Sequence, residues 1–481
     1  MSESGRRDAN RRESTEGKEA ERNASGADVE QNGDVDIIRR KERPRRLRRR
    51  DARRNQESRG ENMTETTQTA QKFIYLDNNA TTAIAPEVLD AMRPYFEAEY
   101  WNPSSMYAPA EALARKLDEA RATVARRLGA AYPDEIIFTS CASESNNAAI
   151  VGAWKAARRV DPKRNRVITT KVEHPAVLEV CRQLEREGAE VDYIGVDAQG
   201  RIDLREYVRA LRPGETAVVS IMHANNETGV IFPIEKLARL AKQTDEKIVF
   251  HCDATQSVTK LPINLSRTAT SDEPNGAFAN VDMLSFSGHK IHAPKGIGAL
   301  YVRRGTPVER FLIGGHQERG RRAGTENVPY IIGLAKALDL EAEDREATAA
   351  RMERMRDRLQ AEIEARIPWV VVNGKDAPRT PNTLNVAVYG AEGEAILMLM
   401  SEAGVCVSSG SACTSGSLEP SHVLSAMKVP EGALQGNFRF SLSRYTTDAE
   451  VDAALEAFVD VVAKVRATSS KWDNVKGEPI A

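Results

Sequence analysis

Long apolar runs are missing from the 481-residue chain: none approaches the ~18 residues that a membrane-spanning helix needs, so no span is expected. The N-terminus also lacks an apolar h-region, which argues against an ordinary secretory signal. Cysteines number only five, an odd count without a CxxC pair, and supply neither a disulfide scaffold nor a structural zinc site. A reducing cytoplasm is the expected compartment. Net charge is nearly absent too, at −2 from 68 Lys and Arg against 70 Asp and Glu. What the chain has is length, with 41% hydrophobic residues, enough for two or three structural units around a large core.

The small net charge conceals an uneven distribution. Residues 1–70 hold 18 basic and 15 acidic residues, and the run 39–54, RRKERPRRLRRRDARR, sets 11 Lys or Arg against Glu42 and Asp51. Such a run serves either as a nucleic-acid-binding arm or as a solvated tail. Residues 1–70 contain no aromatic residue and five Val, Ile or Leu, too little apolar surface to offset the entropy of ordering. A disordered, idle extension without a nucleic-acid partner is therefore expected. Its acidic residues count against a mitochondrial transit peptide, and Met63 is an alternative start shortly before the first strand.

Structure is expected from Phe73 onward. Up to residue 340 or so, short strands alternate with helical patterns: Glu135–Thr139, Arg166–Thr170, Val191–Ile194, Ala217–Met222, Ile248–His251 and Met283–Ser285, with helical spacing over 145–159, 175–187 and 234–243. That alternation predicts an α/β fold with a mainly parallel sheet covered by helices on both faces. Residues 338–366 read as one long charged helix. Beyond it, Val370–Val372, Thr383–Val388, a helix near 392–403, Gly436–Ser443 and a helix from Thr447 predict a smaller α+β unit.

The densest chemistry lies in Met283–Gly298, MLSFSGHKIHAPKGIG. Lysines are normally solvated, but Lys290 follows a strand among small and imidazole side chains, where an amine's pKa falls and a Schiff base can form. A Schiff-base lysine implies pyridoxal phosphate, which needs a carboxylate at its ring nitrogen. Asp253, ending the strand in VFHCDATQS, fits that role or a plain helix N-cap. Phe138 to Glu144, a strand followed by small residues opening a helix, fits a phosphate cradle or ordinary serine capping. His174 in VEHPAV is either an aromatic lid or a structural histidine. Arg439 alternates with apolar residues on a strand and needs either a substrate carboxylate or an internal acid. Cys413 lies in SSGSACTSGS, which has no long apolar side chain, as a reactive thiol would; Cys181 and Cys406 lie in apolar segments.

Together these segments resemble the cysteine desulfurases, pyridoxal-phosphate enzymes of the class V aminotransferase fold. The resemblance spans 73–470 through YLDNNATT (75–82), NPSS (102–105), VEHPAV (172–177), HANNETG (223–229), DATQS (253–257), SFSGHK (285–290), GGHQERGRRAGTEN (314–327) and SSGSACTSGSLEPSHVL (408–424). The wording of GGHQERGRRAGTEN and FSLSRYTT is most similar to the nitrogen-fixation, NifS-type branch.

The resemblance implies an aspartate-aminotransferase-like fold: a large cofactor domain over 86–340, a small α+β domain from 71–85 and 341–470, and a tail over 471–481. It implies Lys290 as Schiff-base lysine, Asp253 as ring-nitrogen partner and His174 as stacking ring. Gln256 would meet the phenolic oxygen and Asn226 the ring substituents. Ala142, Ser143, Ser287 and His289 would hold the phosphate, with Thr325 reaching over from a second subunit of a homodimer. Arg439, with Asn79, would bind the carboxylate of L-cysteine. Cys413 would take the sulfur as a persulfide, ligate an iron–sulfur cluster transiently, and pass sulfur to a scaffold of the NifU kind. Ser143 stands where the family often has Thr, and Cys141 where Gly is common. A selenocysteine lyase or another class V enzyme is the alternative; an aminotransferase would not need Cys413.

Overall fold

The computed structural model describes residues 73–267, 278–409 and 420–480, all within one compact unit, Gln71–Ala481. The extension over 1–70 and Cys413 lie outside the described residues. A seven-stranded sheet runs in the order β2 (Ile136–Thr139), β8 (Gly298–Val302), β7 (Met283–Ser287), β6 (Val249–Asp253), β5 (Thr216–Met222), β3 (Arg166–Thr170), β4 (Glu190–Ile194). The five strands from β7 to β4 are parallel, and β8 is antiparallel to both its neighbours. The expected strands are therefore present within a residue or two of their expected ends.

The central strands are buried along their whole length because helices cover both faces. Alternate side chains divide between two cores: Val219, Ile221, Phe250, Leu284 and Phe286 face one, Val218, Val249 and Met283 the other. On the first side pack α1 (Ala108–Leu128), α4 (Ile234–Thr244) and α5 (Val328–Glu343), and on the second α2 (Ala142–Val160) and α3 (Pro175–Arg186). β8 crosses close to the start of α2 at Gly298, where a Cβ would stand 2.8 Å from the Cys141 carbonyl carbon and from Phe286 O. Only glycine lets the strand seat the helix end that close to β7.

A third core gathers Leu76 with α6 (Arg345–Arg366), α7 (Gly393–Glu402), α9 (Asp448–Thr468) and the antiparallel sheet β12 (Asn437–Ser441), β10 (Thr383–Val388), β9 (Val370–Val372). The first strand, β1 (Ile74–Tyr75), pairs in parallel with β11 (Val405–Cys406), so the YLDNNATT run leaves this region and crosses to the main sheet. α8 (His422–Ala426) belongs to the other side, since Val423, Leu424 and Met427 pack into the first core.

The single helix expected over 338–366 is two. The chain breaks at Asp344 (φ −135°, ψ 25°), where Arg444 takes Leu340 O at 3.0 Å and Asp344 Oδ1 at 3.1 Å. An arginine a hundred residues away draws off a helical carbonyl, and periodicity cannot register that. Residues within 471–481 pair as a hairpin, β13 (Trp472–Asp473) with β14 (Glu478–Pro479), and Arg466 lies 3.9 Å over the Trp472 ring. Among the described residues no helix is long and apolar enough to cross a membrane.

Candidate active site

In open parallel sheets, ligands bind beyond the carboxyl ends of the strands. Here the residues just past β3, β5, β6 and β7 are His174, Asn226, Gln256 and Lys290, and they meet at a cavity of about 600 Å³. Its walls also include Asn79, Ala142, Ser143, Asp253, Ser287, His289 and Arg439. Eleven of the thirteen residues singled out from sequence therefore converge. Of the other two, Thr325 is exposed in the 314–327 segment and does not line the cavity, and Cys413 falls outside the described residues. The flanks of the Cys413 segment do reach the site: Ser408 and Arg439 exchange main-chain hydrogen bonds at 2.7 and 3.3 Å, and Pro420, Ser421 and His422 line the cavity.

Lys290 closes a one-turn helix after β7 and donates from Nζ to Asn79 O at 2.6 Å and Ala80 O at 2.7 Å. Asp253 accepts from Asn146 Nδ2 at 2.7 Å and from Thr255 N at 2.9 Å. His174 is the N-cap of α3; its Nδ1 accepts from Ala176 N at 3.1 Å, which places the proton of a neutral ring on Nε2. Burial holds His174 below the ordinary histidine range, with Asp253 opposing. His289 meets Thr81 Oγ1 at 3.2 Å, and burial, helped by Lys290 and Lys295, pushes it down to about 4. Arg439 is paired with Asp77 at 2.7 Å and with Asn226 O at 2.9 Å, so the internal acid is present and the guanidinium still lines the cavity. The Asn79 amide is engaged internally, to Thr383 Oγ1 at 2.9 Å and from Asn382 Nδ2 at 3.0 Å.

The residues fit pyridoxal phosphate. Ser287 Oγ, Thr255 Oγ1 and Gln256 Oε1 are buried at the cavity without a hydrogen-bond partner, a costly state unless a ligand supplies one. α2 starts at Ala142 with no side-chain cap, leaving its first amides to an anion. Asp253 supplies the carboxylate that a protonated ring nitrogen requires.

Sequence reasoning missed the groups behind this front row. Glu173 is fully buried, accepts from Thr170 Oγ1 at 2.8 Å and Met222 N at 3.0 Å, and is pushed up to about 8 by burial. Glu227 accepts from Ser421 Oγ at 2.5 Å and is pushed up to about 7 by burial. His422 meets Glu173 O at 2.9 Å. A signal was available: Glu173 and Glu227 lie inside VEHPAV and HANNETG, three and five residues past the ends of β3 and β5.

These buried groups give stability a signed pH dependence. Six of the seven histidines are shifted down, His223, His251 and His292 to about 4 by burial. Three glutamates, Glu173, Glu227 and Glu341, are shifted up by burial. Below the unfolded histidine value of ~6.5 the unfolded chain binds more protons at the histidines, so stability rises with pH through that range. The glutamates act oppositely, since the folded chain holds their protons above the unfolded value of ~4.3. Histidines outnumber glutamates, so stability should climb from pH 4.5 to about 6.5, by ~1.4 kcal/mol per pH unit for each unmatched proton, then slip until about pH 8. Thermal melts across this range check it; a melting temperature still climbing from pH 7 to 8 contradicts it.

Comparison with known proteins agrees with the site. Residues 74–454 match the family model described as aminotransferase class V. A cysteine desulfurase of Trichormus azollae is 52% identical over 396 residues, covering 82% of this chain and 94% of that protein. The cysteine desulfurase NifS of Azotobacter vinelandii is 48% identical over 399 residues, covering 83% and 95%. The solved structure of a NifS-like protein superposes with a TM-score of 0.73 at 36% identity, covering 82% of this chain and all of that one. The chain belongs to the class V aminotransferases and, within them, to the pyridoxal-phosphate-dependent cysteine desulfurases of the NifS type.

Proposed function

We propose that this protein removes sulfur from L-cysteine, releases L-alanine and holds the sulfur as a persulfide on Cys413 for iron–sulfur cluster assembly. The observation that supports it best is the meeting of Lys290, Asp253, His174 and Arg439 on one cavity, with both flanks of the Cys413 segment at its edge. Bound pyridoxal phosphate supplies an electron sink conjugated to the substrate α-carbon. Lys290 would hold the cofactor through its amine, and the same amine could serve as the base toward the substrate α-carbon. Asp253 would hold the ring nitrogen protonated, and His174 would stack on the ring. Gln256 serves the phenolic oxygen and Asn226 the ring substituents. Ala142, Ser143, Ser287 and His289 would take the phosphate, joined by Thr325 of a second copy, and the working unit would then be a homodimer. Arg439 binds the substrate carboxylate; Asn79 can assist only by giving up an internal bond.

The Cys413 thiolate then attacks the substrate sulfur: the new S–S bond forms as the C–S bond breaks, and the electron pair returns to carbon, which is protonated to alanine. Transfer to a NifU-type scaffold in the cytoplasm, with Cys413 as a passing cluster ligand, completes the reading. We place the cofactor domain at 86–340 and the small domain at 71–85 with 341–470. The supporting observation is that Leu76 shares one core with α6, α7, α9 and the strands β9, β10 and β12; α8, within those bounds, packs on the first core instead. The test is turnover of L-cysteine with a reductant. Equal yields of alanine and sulfide are expected; pyruvate instead of alanine, or turnover confined to L-selenocysteine, overturns the reading.

A further inference from the structure

Arg439 is 2% exposed, and two neighbours hold its guanidinium. Nη2 donates to Asp77 Oδ1 at 2.7 Å and Nη1 to Asn226 O at 2.9 Å, while buried Nε has no hydrogen-bond partner. The main chain on each side is fixed as well. Arg439 pairs with Asn385 across β10 and with Ser408, and Asp77 forms a parallel bridge to Ser441, two residues beyond Arg439. The ion pair thus spans two rigid segments at the cavity wall, and its side chains are 2% and 19% exposed. A buried guanidinium left alone would attract any anion; one already paired has its charge offset before the substrate arrives.

We propose that Asp77 is a positioning and specificity residue: it fixes Arg439 and offsets its charge, so that the site accepts an amino acid with one carboxylate and rejects one with two. This rests on the reading of Arg439 as the carboxylate partner. A single carboxylate brings the Asp77–Arg439 pair to one net negative charge. A second carboxylate close to that pair is repelled by it; Lys290 and Arg182 are the other Lys and Arg among the described residues of the cavity wall. Replacing Asp77 by the isosteric amide keeps an oxygen for Nη2 and removes the charge, so position and charge can be separated.

The test uses the holoenzyme of the full chain and follows the cofactor's visible absorbance on titration with L-alanine and with L-aspartate, which differ by one carboxylate. In Asp77→Asn, alanine should tighten by about 3-fold and aspartate, with two carboxylates, by about 10-fold, so that the aspartate-to-alanine ratio rises. In Asp77→Ala, which removes the oxygen, alanine should weaken by about 10-fold. Arg439→Ala separates the two layers. If it binds alanine as the native enzyme does, the carboxylate reading itself fails. If it weakens alanine but Asp77→Asn leaves the aspartate-to-alanine ratio unchanged, the proposal for Asp77 alone is overturned. Native-like circular dichroism of Asp77→Asn confirms that its ratio is read on folded protein.

Discussion

Lys290→Ala should lower turnover of L-cysteine by about 10⁴-fold or more and abolish covalent attachment of the cofactor. Among the described residues, Lys290 is the only lysine lining the cavity, so no second amine can substitute. Its Nζ is fixed by the carbonyls of Asn79 and Ala80 at 2.6 and 2.7 Å, and Asp253 and His289 line the same cavity. Lys290→Arg keeps the charge but neither the nucleophile nor the base, and should not rescue. Borohydride reduction followed by peptide mass analysis reads the attachment directly. The native protein should carry the reduced cofactor on the Lys290 peptide and the variants should carry none; attachment at another residue would sink the assignment.

Asp253→Ala should cost about 10²- to 10³-fold in turnover while the cofactor still binds, because phosphate and ring contacts remain. The carboxylate is 5% exposed and is oriented by Asn146 at 2.7 Å and Thr255 N at 2.9 Å. Its charge is felt around the pocket: it adds to the upward push that burial gives Glu173 and opposes the downward push that burial gives His174. A negative charge held there favours a protonated ring nitrogen, and a protonated ring withdraws electrons from the α-carbon. Asp253→Asn keeps the shape without the charge and should lose nearly as much. Steady-state rates with cofactor absorbance decide it: a variant that loads cofactor and turns over at the native rate would remove Asp253 from the chemistry.

Much of this site was legible because its residues sit where strands end. Asp253, Ser287 and His174 each follow a short β-branched or apolar run, and a parallel sheet brings such ends to one edge. Strand-helix alternation therefore carried both the fold and the meeting of distant motifs. What stayed hidden depends on contacts between remote segments. The break at Asp344 needs Arg444, and Arg439 needs both Asp77, 362 residues away, and the cavity. Two readings of Arg439, internal acid or substrate carboxylate, looked exclusive in sequence; the geometry holds the first and leaves room for the second. Glu173 and Glu227 escape a sequence reading because acids near strand ends usually face water, and their burial involves remote partners, Met222 for Glu173 and Ser421 for Glu227.

The central claim is that sulfur moves from L-cysteine to Cys413. The most direct measurement is a single turnover of the holoenzyme with L-cysteine and no reductant, read by mass analysis of cysteine-containing peptides and by released alanine. The account predicts one added sulfur atom on the Cys413 peptide, matched by alanine, and neither product from Cys413→Ala. Alanine still formed by Cys413→Ala, or the sulfur found instead on Cys141 at the cavity wall, would contradict it.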